Sequence, residues 1–98
     1  MEDYVYYGEL FNIYKCLLNE SNCKYYSLYY EENLSLQEIA DIENVSKSYV
    51  GNIINKTSKK LIEYERKLGN YQRKKIIEEA YNCNDLKKIK ELLKMILE

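Results

Sequence analysis

Residues 35–68, SLQEIADIENVSKSYVGNIINKTSKKLIEYERKL, constrain the fold more than any other stretch, because helix-boundary signals stand there at fixed offsets. Ser35 followed three residues later by Glu38 is a capping box: the serine oxygen accepts from the Glu38 N–H while the carboxylate reaches back to the Ser35 N–H. A helix therefore starts at Leu36. Leu36, Ile39 and Ala40 make its buried face, and the small Ala40 lets a second helix cross closely. Asn44 stands where the chain must reverse, and asparagine is the commonest substitute for glycine in a left-handed position. Val45 can plug the core, and Ser46 is a good N-cap for the next helix. From there Val50, Ile53 or Ile54, Thr57, Leu61, Tyr64 and Leu68 recur at steps of three and four, as far as Gly69 at the C′ position. The second helix is about 22 residues and about 33 Å long. A short helix, a tight turn and a second helix make a helix-turn-helix.

With Val50 and Ile53 turned inward, Ser46, Lys47, Ser48, Asn52, Asn55 and Lys56 face out near the start of that second helix, and Lys59 and Lys60 continue its basic face. Serine, asparagine and lysine read base edges or phosphate oxygens, so these eight are the candidate nucleic-acid contacts. Gly51 is expected on the same outward face, where it offers nothing to a groove. The plainer alternative is that a capped helix pair simply belongs to an all-helical core.

Charge distribution bears on that choice. The 98-residue chain has 15 basic and 16 acidic side chains, so as a whole it is not a basic nucleic-acid binder. From Met1 to Val45, two lysines face nine acids; from Ser46 to Lys75, nine basic residues face two acids. The segment charges are −7 and +7, and the basic block begins with the second helix of the motif. Counterion release by lysine and arginine supplies most non-specific affinity for nucleic acid, and this is the concentration it needs. A long exposed helix also needs charge for solubility, and the acidic half is itself an available partner.

The absence of proline, the three glycines and the many Leu, Ile, Lys and Glu favour helix nearly throughout. The expected fold is all-α: one domain over residues 1–98, with the helix-turn-helix at about 35–68 and a C-terminal helical extension at 70–98. Cys16, Cys23 and Cys83 are odd in number with no histidine beside them, so a Cys/His metal set is excluded. Reduced, mostly buried thiols in a cytoplasmic protein are expected. The N-terminus MEDYVYYGEL lacks the signal-peptide pattern, and no apolar run approaches the roughly 20 residues of a membrane span. There is no Gly-rich phosphate loop, no GxSxG and no acid in an apolar setting, so neither an enzyme nor a cofactor is expected.

Taken in order, a first helix is expected from about Tyr4 to Leu18, with Tyr7, Leu10, Phe11, Tyr14, Leu17 and Leu18 as its stripe. Asn19 or Ser21 caps a second helix to about Tyr30. Its run KYYSLYY reads either as a platform for unpaired bases or, at helical spacing, as amphipathic core with hydroxyls at the rim. After Gly69, Ile76, Ile77, Ala80 and Tyr81 mark a fifth helix. Asn84 is expected to cap a last one with Leu86, Ile89, Leu93 and Ile96 on its face, widened by Leu92, Met95 and Leu97. So much apolar surface on a terminal helix must pack on its own domain or on another copy, which makes a homodimer the expected assembly.

The run from Leu10 to Leu68, with LYY, LSLQEIA, VS and LIEYERKL in that order, resembles the YlxM family of small bacterial proteins, whose motif is related to region 4 of sigma factors. The resemblance implies a cytosolic, all-helical, dimeric accessory protein linked to the signal recognition particle pathway. It also implies nucleic-acid binding, to DNA or to the particle's small RNA, with Ser46, Lys47, Ser48, Asn52 and Asn55 as contacts by position. Tyr49 stands where the family has a small residue, Gly51 where it has a larger one, and Lys47 where arginine is common, which removes the planar fork that reads guanine. Two other functions fit the residues: a DNA-reading dimeric transcription regulator, and a structural module that recruits a protein partner through its terminal helices.

Overall fold

The computed structural model describes the backbone from Glu2 to Glu98 and the side chains from Tyr4 onward. Among the described residues there are six α-helices and no strand: α1 Glu2–Tyr14, α2 Glu20–Tyr30, α3 Leu36–Glu43, α4 Lys47–Leu68, α5 Asn70–Tyr81 and α6 Leu86–Leu97. They fall into two compact units, Met1–Lys67 and Leu68–Glu98.

In the first unit α1 ends at Tyr14 instead of running to Leu18, and Lys15–Leu17 tighten into a single 3-10 turn. The cause is the next cap. Asn19 accepts from the Asn22 N–H at 2.7 Å and is extended, as is Leu18, so the helical backbone has to stop before them. Leu17 is thereby left half exposed, while Leu10, Phe11 and Tyr14 are buried.

Those three pack with Tyr25 and Tyr26 of α2, Ile39 and Ala40 of α3, and Val50, Ile54 and Leu61 of α4 to form the core. The tyrosines are structural. Tyr4 stacks on Tyr30 at 4.8 Å between ring centroids, Tyr30 on Tyr26 at 4.5 Å, and Tyr26 tilts against Phe11 at 5.2 Å. Their hydroxyls are satisfied at the rim: Tyr26 shares a 2.6 Å hydrogen bond with Ser58, and Tyr14 donates to Glu65 at 2.6 Å. The run KYYSLYY is therefore amphipathic core, with Tyr25 and Tyr26 buried and Tyr29 and Tyr30 half-buried.

Among the described residues one core group lacks a partner. Thr57 is fully buried and its Oγ1 meets no hydrogen-bonding atom. A buried hydroxyl left unpaired costs about 1–3 kcal/mol, and valine has the same branched shape without that cost. Thr57→Val is expected to raise the urea midpoint at unchanged m-value, a gain of about 1 kcal/mol. A lowered midpoint would show that the hydroxyl is satisfied in solution.

In the second unit Ala80 of α5 and Leu92 of α6 are buried, and Ile89 and Ile96 flank Leu92 at steps of three and four. The inward face of α6 is thus Ile89–Leu92–Ile96, whereas Leu86 and Leu93, expected to lead it, are exposed. Asp85, not Asn84, caps α6, accepting from the Lys87 N–H at 3.0 Å. The cysteines are also less buried than expected. Cys16 lies exposed in the 3-10 turn, and Cys23 and Cys83 are half-buried. All three are free thiols.

Candidate nucleic-acid interface

The two helices and the turn between them follow from four residues. Ser35 Oγ accepts from the Glu38 N–H at 3.1 Å, and Glu38 Oε1 accepts from the Ser35 N–H at 2.8 Å, completing the capping box. Asn44 takes the left-handed conformation, φ 58° and ψ 47°, and returns its N–H to the Ala40 carbonyl. Ser46 Oγ then accepts from the Tyr49 N–H at 3.0 Å, which starts α4. No acidic residue lies in the first turn of α4, so its N-terminal dipole is uncompensated by any carboxylate there.

Ser46, Lys47, Ser48, Asn52, Asn55, Lys56, Lys59 and Lys60 are all exposed. They do not all share one face. At about 100° per residue, Ser48, Asn52, Asn55 and Lys59 fall within about 60° of one another, opposite the buried Val50–Ile54–Thr57–Leu61 row. These four form a strip about 16 Å long. Lys56 and Lys60 border it on one side, and Lys47 lies off it beside the turn. Gly51, expected to leave a gap in the outward face, is half-buried instead. A Cβ there would lie 3.8 Å from Leu36 Cδ1, an ordinary contact distance, so Gly51 faces the flank of α3 and the strip is uninterrupted.

Ion pairing separates the two ends of the basic block. Near the end of α4, Glu63 hydrogen-bonds Arg66 and lies 3.6 Å from Lys67; the Arg66 hydrogen bond holds its carboxyl below the usual carboxylate range. Among the described residues Lys47, Lys56, Lys59 and Lys60 make no ion pair. On α2, Lys24 is held by Glu43 of α3 at 2.7 Å, and that hydrogen bond raises its pKa. The free positive charge of the first unit thus concentrates on α4 between Lys47 and Lys60.

A cavity of about 320 Å³ opens at the edge of the strip, lined by Tyr7, Asn55, Ser58, Lys59 and Ile62. Asn55 and Lys59 were legible in the sequence as outward-facing polar residues. Ser58 and Ile62 carry only the weak signal of lying one turn on from Asn55 and Lys59, and nothing in the spacing brings Tyr7 to them. Among the described residues no group of three or more metal-ligating side chains converges, and no helix is long and apolar enough to cross a membrane.

Residues 1–96 match the family model UPF0122, "Putative helix-turn-helix protein, YlxM / p13 like". The chain belongs to that family. A UPF0122 protein of Mycoplasma capricolum subsp. capricolum is 43% identical over 84 residues, spanning 86% of this chain and 74% of the relative. The one from Clostridium botulinum is 37% identical over 91 residues, 93% and 83% of the two chains. That of Halalkalibacterium halodurans is 38% identical over 93 residues, 91% and 85%. The likeness takes in α5 and α6 as well as the helix-turn-helix, so the C-terminal helices belong to the family's pattern.

Proposed function

We propose that the protein is a non-enzymatic accessory component of the signal recognition particle pathway that holds nucleic acid, the particle's small RNA first, on the exposed strip of α4. The observation that carries the nucleic-acid reading is the set of unpaired lysines beside Ser48, Asn52 and Asn55, in a unit whose other cations are largely neutralised. Lysine grips phosphate as a point charge, and serine and asparagine add hydrogen bonds to sugar and base edges. The family resemblance supplies the pathway. Binding of the purified small RNA, the particle's protein component and random duplex DNA, measured side by side at physiological salt, tests it. RNA retention above duplex DNA is expected; an enriched DNA motif with no RNA binding would replace it by a transcription regulator, and retention by the protein component alone would replace it by a protein-interaction module.

Self-association is the second part of the proposal. Ile77, Tyr81, Leu86, Leu93 and Leu97 of the second unit are exposed, an apolar surface that a second copy can cover. Two copies meeting through this face make a homodimer with two basic strips. Leu93→Lys is expected to halve the molar mass measured by light scattering, with helicity unchanged. An unaltered mass would place the contact elsewhere.

A further inference from the structure

The cavity beside the strip has the chemistry of a nucleotide site, and this goes beyond phosphate binding. Its volume of about 320 Å³ lies at the lower end of the roughly 300–1,000 Å³ of small-molecule pockets, the right scale for one base with its sugar and too small for a larger cofactor. Ile62 and the Tyr7 ring supply apolar and aromatic wall, against which a base face packs. The Asn55 amide presents a donor and an acceptor side by side, the pairing that reads an unstacked base on its edge. Lys59 stands at the same cavity as the cation for the attached phosphate. Among the described residues no carboxylate lines it.

The floor is held in place from below. Ser58 shares its 2.6 Å hydrogen bond with Tyr26, which is fully buried between Phe11 and Tyr30. The Ser58 hydroxyl is therefore fixed by the core.

Paired bases cannot use such a site. In a duplex only base edges are accessible, because the faces are covered by stacked neighbours, and a groove accepts a convex helix surface. A concavity with a ring and an aliphatic side chain in its wall needs a base that exposes its face.

We propose that this cavity takes one unpaired nucleobase, extruded from the strand whose phosphates lie along Lys56, Lys59 and Lys60. The inference rests on the phosphate-binding reading of α4 and specifies its target: a bulge or loop nucleotide, not a uniform duplex.

The test uses the full chain with two hairpin RNAs of identical stem, one carrying a single bulged 2-aminopurine and one fully paired, and the same pair in DNA. The bulged RNA is expected to bind about tenfold tighter, with 2-aminopurine fluorescence quenched on binding. Tyr7→Leu and, independently, Ile62→Ala are expected to remove that preference while leaving the affinity for the paired hairpin unchanged. Lys56→Gln is expected to weaken both hairpins equally. A matching preference in the DNA pair would also support a base site and show that the ribose 2′-hydroxyl is not read; a preference confined to RNA would support it and show that it is. Equal affinity for bulged and paired hairpins, or equal loss on both from Tyr7→Leu, would overturn the cavity's role and leave phosphate binding standing. Failure of every hairpin to bind would overturn both.

Discussion

Replacing Lys47, Lys56, Lys59 and Lys60 together by glutamine is expected to remove nearly all salt-sensitive nucleic-acid affinity while leaving the fold intact. All four side chains are exposed and without ion pairs among the described residues, so their loss breaks no internal contact, and glutamine is nearly as good a helix former as lysine. Each lysine that neutralises a phosphate adds close to one unit to the slope of log K against log salt. Four such contacts make the wild-type protein about 100-fold weaker at 200 mM than at 50 mM salt, whereas the quadruple variant should vary only a few-fold over that range. The control is Lys87→Gln with Lys88→Gln on α6, the same kind of charge change in the second unit, which should leave the slope as it was. Fluorescence anisotropy across a salt series reads both. An unchanged slope in the quadruple variant would mean that the phosphates lie elsewhere, and that the lysines of α4 serve solubility alone.

Ser35, Glu38, Asn44 and Ser46 made the motif legible in the sequence, because each satisfies a specific backbone group at a helix boundary, and the structure has all four in those roles. Local hydrogen bonding is encoded at short range. What depended on packing between distant segments was not legible. Gly51 belongs to an outward arc on a helical wheel, yet it is half-buried on the side where Leu36 of α3 lies, which no periodicity within α4 reports. Leu92, secondary to Leu86 and Leu93 in the sequence pattern, is the buried one for a similar reason. On an amphipathic helix with apolar residues around half its circumference, the neighbouring helix selects the buried row, and here it selects Ile89–Leu92–Ile96. The four-residue strip was half legible. The residue types were visible, but the division between free lysines and those neutralised by Glu63 required the ion pairs themselves.

Tyr26 carries the other large expected effect. Its side chain is completely buried, packs on Phe11 and Tyr30 and hydrogen-bonds Ser58, so Tyr26→Ala loses a large aromatic volume from the centre of the first unit. Such truncations cost about 3–5 kcal/mol, a large share of the roughly 5–15 kcal/mol that holds a small domain folded. Urea unfolding at pH 7 should show the midpoint falling accordingly. The same burial gives the residue a distinct signature in alkali. Burial pushes the Tyr26 phenol well above the ordinary tyrosine value, and Tyr30 is pushed the same way. The folded state therefore keeps a proton that the unfolded chain releases near pH 10, so this contribution is fully present below pH 10 and is lost as pH rises beyond it. For Tyr26 the loss is about 1.4 kcal/mol per pH unit above that point. Lysines titrate in the same range, so the informative quantity is the difference between the wild-type protein and Tyr26→Phe. The phenylalanine variant gives up the Ser58 hydrogen bond, about 1 kcal/mol at pH 7, and should draw level with the wild type by about pH 11. Parallel stability curves between pH 9.5 and 11.5 would mean that the Tyr26 hydroxyl ionises freely in the folded protein, and that the aromatic row is open to water.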